Sequence, residues 1–198
     1  MATNIRVIIR NLIDFYDFSN KTIVSVGEGG GQLIEYGRHS KKVYAVDNDI
    51  NATKRLEENL LKNELADRFE VFNCDFYDFT LKCDVVLFEF CLHEMIDPKR
   101  AIKHAKTLGV DVVVLDHYLK SEWAFYVDEK EKVEASWDAI KSFPLRKVKK
   151  YNTQQIFNDY QELYQKVKVK GETSINRIQP FINQHKISIP MNYGIALI

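Results

Sequence analysis

The sequence predicts an α/β fold: a doubly wound, mostly parallel sheet of seven strands, with one antiparallel strand near the C-terminus. Three observations lead there. Apolar runs such as "DVVLFEF" (84–90) and "DVVVL" (111–115) do not alternate with polar residues, so those strands are expected to be covered on both faces. Segments of helical spacing separate these runs, and parallel strands need crossovers of that kind. A glycine-dense stretch, "VGEGGGQ" (26–32), directly follows the first apolar run and holds four of the eight glycines in this 198-residue chain.

The elements follow in order. Ile5, Ile8, Ile9, Leu12, Ile13 and Tyr16 recur at helical spacing within residues 1–18. Arg6, Arg10 and Asp14 interrupt them, so this is expected to be an amphipathic helix lying on the domain, neither a signal peptide nor a membrane span. "TIVSVG" (22–27) is the first strand, "GQLIEYG" (31–37) opens a helix, and "KKVYAVD" (41–47) is the second strand. "DINATKRLEENLLKNEL" (49–65) is a helix with Asp49 as N-cap. "RFEVFNCD" (68–75) and "CDVVLFEF" (83–90) are the third and fourth strands. "DPKRAIKHAKTLG" (97–109) is a helix with Asp97 as N-cap, Pro98 in its first turn and Gly109 at its end. "VDVVVLDH" (110–117) is the fifth strand.

After that the rhythm breaks. Residues 117–150 are aromatic, charged and helical in pattern, and are read as an insertion over the strand ends, a lid for substrate. "NTQQIFNDYQ" (152–161) reads as a helix capped by Asn152 or Thr153. "LYQKVKVK" (163–170) alternates and reads as a strand. "INRIQPFINQH" (175–185) is a link, and "MNYGIALI" (191–198) the last strand. The whole chain, 1–198, is expected to be a single domain.

Composition narrows the function classes. Apolar residues make up 45% and charged residues 28%, with a formal net charge of zero, so no polyanion-binding surface is expected. The most basic stretch, "LRKVKK" (145–150), reads as a solvated loop face. Cys74, Cys83 and Cys91 are odd in number and fit no CxxC spacing, which suits reduced thiols in a cytoplasmic protein. Neither nucleic acid nor membrane is an expected partner.

The chemistry starts at the glycines. Gly27, Gly29 and Gly31 form GxGxG between a strand and a helical segment, where missing Cβ atoms allow a ligand or a neighbouring backbone to come close. Asp47 ends the second strand about twenty residues after Gly27, a place and spacing that suit a ribose diol. Asp75 and Phe76 follow the third strand, offering an acceptor for an adenine amino group and an apolar wall. A third glycine for GxGxxG would fall on Gln32, and no G-K-[ST] follows, so a pyrophosphate fits poorly. An adenosine carrying a polar amino-acid tail fits better.

"IVSVGEGGG", "VYAVDND", "FNCDFYDF" and "CDVVLFEFCLHEMIDPKRAI" resemble the successive motifs of Rossmann-like class I S-adenosylmethionine-dependent methyltransferases, small-molecule branch. The resemblance runs from about Thr22 to Asp116. It resumes at "YNTQQIFNDYQELYQKVKV", which is similar to that family's last helix and sixth strand. It implies S-adenosylmethionine as cofactor, with Gly27, Gly29 and Gly31 beneath its methionine part. It places Asp47, with Asn48 beside it, at the ribose, Asp75 and Phe76 at the adenine, and Glu89 and Phe90 at the methionine end. The family's acid two residues before the first glycine is Ser25 here, and Glu28 is the expected substitute.

The implied reaction is transfer of a methyl group to an oxygen or nitrogen of a small organic molecule. His93 and His117, each just beyond a strand end, are the candidate general bases. Glu89, Asp116 and His117 end adjacent strands and invite a metal reading, but the lysine of metal-dependent relatives would be Leu92, and no metal is expected. Two other classes stay open at this point: a non-catalytic cofactor-binding module and a nucleotide-dependent oxidoreductase. The sequence leaves the acceptor and the oligomeric state open.

Overall fold

Strands β1 (Thr22–Val26), β2 (Lys42–Asp47), β3 (Phe69–Asn73), β4 (Cys83–Glu89) and β5 (Gly109–His117) run parallel in the computed structural model, which describes residues 4–198. Strands β6 (Lys147–Asp159) and β7 (His185–Leu197) complete one sheet of order β3-β2-β1-β4-β5-β7-β6. Only β7 runs against its neighbours, β5 on one side and β6 on the other. Strand order reverses beside β1, which lies between β2 and β4. Such a switch point opens a crevice at the carboxyl ends of the strands.

The unbroken apolar runs are covered on both faces, as their composition requires. On β4, Val85 and Leu87 join one core layer while Val86 and Phe88 join the other. On β5, Val113 and Leu115 face the first layer, Val112 and Val114 the second. All eight side chains are fully buried, each worth roughly 1.5–3 kcal/mol against exposure. The first layer is closed by α1 (Ile5–Phe15), α2 (Ile50–Lys62) and α6 (Tyr160–Val167). The second is closed by α3 (Pro98–Leu108) and α5 (Lys130–Lys141). Two short helices, α4 (Glu122–Tyr126) and α7 (Glu172–Arg177), complete the set. The expected caps form: Asp49 accepts from the Asn51 amide and Asp97 from the Arg100 amide. Of the expected helix 1–18, residues 1–3 lie outside the described residues; α1 buries Ile8, Leu12 and Phe15.

Four expectations are corrected. "GQLIEYG" opens no α-helix; it gives a 3-10 stretch, Ile34–His39. Gly37 sits in the middle of that stretch, and a Cβ there would lie 2.4 Å from the Phe69 ring. "NTQQIFNDYQ" is strand, and "LYQKVKVK" is mainly helix. In β6 the inward positions are Gln155 and Phe157 while Ile156 is exposed, so a polar residue holds a core place and an apolar one does not. In α6 the buried pair is Leu163 and Val167, four apart, with Asp159 capping the Glu162 amide. Val169, which suggested alternation, is exposed. "LRKVKK" is also not a loop: it leads into β6, whose lysines 147, 149 and 150 lie on a sheet edge, where charge discourages further pairing.

The segment 117–150 does not act as one unit. α5 packs along α3, and Trp137 is buried, its indole N–H donating to the His117 carbonyl (2.6 Å). The stretch around α4 instead lines a cavity at the strand ends, through Trp123, Val127 and Glu129.

Candidate active site

The glycine loop leaves β1 with the Gly27 amide donating to Val46 O (3.1 Å). A Cβ on Gly27, at φ +76°, would lie 2.4 Å from the Cys91 Cβ. A Cβ on Gly31 would lie 2.8 Å from Leu56 Cδ1 on α2. Those two positions are bare because the protein itself fills the space. Gly29 is different: a Cβ there meets nothing nearer than 3.7 Å, so it faces open space. Gly31 lines neither cavity beside the loop, unlike its two partners in the motif.

A cavity of about 590 Å³ lies on the β2–β3 side of the loop. Gly27, Gly29, Asp47, Asn48, Asp75 and Phe76 all line it, as do Phe90 and Cys91. Asp47 accepts from the Asp49 amide (2.9 Å) and the Gly29 amide (3.3 Å). Asp75 accepts from the Tyr77 amide (2.8 Å) and is exposed. Phe76 is buried, edge-on against Phe88 and His104. Arg55, Tyr77 and Ile96 also line this cavity. Sequence reading passed over them because each looks like an ordinary surface residue.

A second cavity, about 280 Å³, lies beyond the loop and is lined by Glu28, Glu89, Phe90, His117, Trp123 and Met191 among others. Glu28 and Glu89 are buried here. Tyr36 O–H donates to Glu28 Oε1, and Ser25 O–H donates to Glu89 Oε1 (2.9 Å). Glu28 Oε2 is buried without a partner. Burial, together with a neighbouring negative charge, raises the pKa of both carboxyls, Glu89 well above the ordinary glutamate value. An unpaired buried oxygen in a reluctantly ionised acid pair suits a cationic ligand group. Gly27, Gly29 and Phe90 line both cavities, so one extended ligand can span them. Phe90 holds the junction at φ +50°, a sparsely populated conformation for a non-glycine residue, with its amide donating to Leu115 O (2.7 Å).

The two histidines part company. Asp116, fully buried, accepts from the His93 amide (3.0 Å), the His117 amide (2.8 Å) and Ser136 O–H (3.4 Å). His93 Nδ1 lies 2.5 Å from Asp116 Oδ1, and Nε2 lies 3.4 Å from Glu129 Oε2. Burial works to lower the His93 pKa, but Asp116 and Glu129 overcome it and raise it to about 10. Lys170 Nζ meets Glu129 Oε1 (2.6 Å) and Glu94 Oε1 (2.7 Å). Burial lowers His117 to about 4, leaving a neutral ring. His117 lines the second cavity; His93 does not, facing instead a third one of about 280 Å³ that His117 shares. The strand-end trio Glu89, Asp116 and His117 is not brought together as a ligand set, since Asp116 is committed to His93, His117 and Ser136.

Residues 24–109, from β1 to the start of β5, match the family model described as a methyltransferase domain. A search of curated proteins finds no matching relative. Solved structures share the fold over nearly the whole chain. A provisionally assigned methyltransferase of Bacillus halodurans is 16% identical with TM-score 0.67, covering 98% of this chain and 97% of its own. An S-adenosylmethionine-dependent methyltransferase of Aquifex aeolicus is 17% identical with TM-score 0.60, covering 99% and 90%. A provisionally assigned RNA methyltransferase of Pyrococcus horikoshii is 19% identical with TM-score 0.58, covering 98% and 81%. Fold and site define a Rossmann-like α/β protein with a ligand crevice at its switch point. Residues 24–109 thus match a methyltransferase domain, and the whole chain shares its fold with S-adenosylmethionine-dependent methyltransferases. Among the described residues, no helix is long and apolar enough to cross a membrane.

Proposed function

We propose that the protein methylates an oxygen or nitrogen of a small organic molecule held in the second cavity. The observation that carries this is the pair of cavities joined at Gly27, Gly29 and Phe90. When bound, S-adenosylmethionine supplies an electrophilic methyl on a sulfonium. In this reading Asp47 and Asn48 hold the ribose, Asp75 and Phe76 the adenine, and Glu28 with Glu89 the amino group. Gly29 lets the chain of the cofactor pass. The acceptor then lies beyond Phe90, walled by Trp123 and Met191, with His117 against it. These walls exclude water and fix the acceptor in line with the methyl. His93 is not placed on the acceptor, because its ring nitrogens face Asp116 and Glu129.

The small volume and the zero net charge favour a small acceptor over a nucleic acid, although one structural neighbour is an RNA methyltransferase. The three cysteines are unpaired, which suits a cytoplasmic protein. Incubation with methyl-labelled cofactor and fractionated extracts tests the reading. Label is expected in a low-molecular-weight product; label in RNA alone, or none with the cofactor bound, overturns it.

A further inference from the structure

The third cavity holds a cluster that the cofactor does not use. Ligand atoms of His93, His117 and Glu129 lie within 4.8 Å of one another, and all three residues are buried. They come from three places: the turn after β4, the end of β5, and the junction of α4 and α5. His117 Nδ1 is buried with no hydrogen-bond partner, and His93 Nε2 is buried facing Glu129 Oε2 at 3.4 Å and Glu94 Oε1 at 3.8 Å. An unpartnered buried imidazole nitrogen is costly unless something takes its lone pair, and a metal ion would displace the proton that His93 shares with Asp116 and Glu129.

We infer that His93, His117 and Glu129 form a binding site for a first-row divalent metal ion, of which zinc is the representative. Two imidazoles and one carboxylate favour zinc, iron or cobalt over magnesium or calcium, which prefer all-oxygen shells. The geometry is close to what such an ion needs. Ligand atoms about 2.1 Å from a tetrahedral centre stand roughly 3.4 Å apart. His93 Nε2 and Glu129 Oε2 are already 3.4 Å apart, and the whole set lies within 4.8 Å, so side-chain rotation of about an ångström closes the site. His93 Nδ1 is oriented by Asp116, the carboxylate–histidine arrangement that commonly supports a metal-bound imidazole. Lys170 takes only Glu129 Oε1, leaving Oε2 toward His93. Lys166 also lines this cavity and, with Lys170, sets a cationic wall against the metal; the carboxylates of Glu129, Asp116 and Glu94 oppose it. These ligands are not the strand-end trio, of which only His117 is shared.

Three protein ligands leave a coordination position open. His117 belongs to both this cavity and the one proposed for the acceptor, and Phe90 and Trp123 line both. A metal here would take a hydroxyl oxygen of the acceptor and favour its deprotonated form. That last step rests on the methyltransferase reading above; the metal site does not.

The test is calorimetric titration of the full chain, stripped with a chelator, with zinc chloride in the absence of cofactor. One zinc per chain is expected. His117→Ala and Glu129→Gln should each weaken binding beyond the roughly 10–100-fold typical of losing a supporting partner. Cobalt(II) added to the unaltered protein gives a reading that needs no variant: visible bands of a four- or five-coordinate site are expected. No zinc binding, octahedral cobalt spectra, or unchanged affinity in both folded variants overturns the site. Binding of S-adenosylhomocysteine, measured on the same samples, separates the two claims. Its loss with zinc still bound defeats the methyltransferase reading alone, and zinc's failure with it bound defeats the metal site alone.

Discussion

The two ends of the groove use acids in opposite ways. At the carboxyl ends of β2 and β3, Asp47 and Asp75 each accept from an amide two residues on, and Asp75 is exposed. These are local turns that hold a carboxylate at the surface with capacity to spare. At the ends of β4 and β5, Glu89 and Asp116 are buried and held by partners far along the chain: Ser25 for Glu89, 64 residues away, and His93 for Asp116, 23 residues away. The first end turns solvent-accessible carboxylates toward its cavity, a setting that suits neutral hydroxyl and amino groups. At the second, burial makes Glu89 and its neighbour Glu28 reluctant to ionise, a setting that suits a cationic group. That difference is what the proposed function builds on, with a nucleoside at one end and the charged, reacting part of the ligand at the other.

The largest expected effect separates packing from binding within the glycine loop. Gly27→Ala forces a methyl group to 2.4 Å from Cys91 at positive φ, and is expected to destabilise the fold by about 3 kcal/mol from overpacking and backbone strain together. Gly29→Ala has open space and a φ of +59°, and should cost only about 1–2 kcal/mol while sharply weakening S-adenosylhomocysteine. Denaturant unfolding and calorimetry measure both. Equal loss of stability in the two variants would show that the loop is bare only for packing.

Asp47→Ala comes next. Charge-assisted hydrogen bonds to a ribose are worth about 1.5–3 kcal/mol, so affinity for S-adenosylhomocysteine should fall about 10–150-fold. Stability should change little, because the carboxylate's two partners are nearby loop amides. Unchanged affinity, measured by calorimetry, would remove the ribose from that end of the groove.

That Gly27, Gly29, Asp47, Asp75 and Phe76 would share one cavity was legible because the signals are local. Gly27, Gly29, Asp47, Asp75 and Phe76 are each read against a strand end a few residues away, and the five parallel strands announce themselves by unbroken apolar runs. What the sequence hid depends on distant contacts. Nothing near Glu129 or Lys170 marks them as neighbours of His93; only the fold brings the α4–α5 junction, the turn after α6 and the turn after β4 together. The exchange of strand and helix at 152–170 has a similar cause. Gln155 occupies an inward place with its amide donating to Met191 Sδ, while Ile156 and Val169 face out, so the hydrophobic pattern misstates the period. The reading of Glu28 as an acid near the amino group needed no tertiary information, but its pairing with Tyr36 and the matching burial of Glu89 did.

The smallest effect tests the charged end directly. Glu28 and Glu89 have raised pKa values in the folded protein, so the unfolded chain gives up these protons at lower pH than the native one. The native state binds more protons above the ordinary glutamate range, and the stability this brings is fully present below about pH 4.5 and lost as pH rises through the raised values. The ligand-free protein should therefore lose stability with rising pH over that window, and Glu28→Gln should flatten the slope. Binding works in the opposite direction. A cationic amino group favours the ionised pair, so S-adenosylhomocysteine affinity should rise with pH while the ligand's amine stays protonated, with proton release on binding. Glu28→Gln should weaken binding by about tenfold, some 1.4 kcal/mol, and lessen the proton release. Calorimetry in buffers of different ionisation enthalpy reads that release. An affinity that Glu28→Gln leaves unchanged would mean that Glu89 alone receives the amino group, and that burial of the second acid serves the fold.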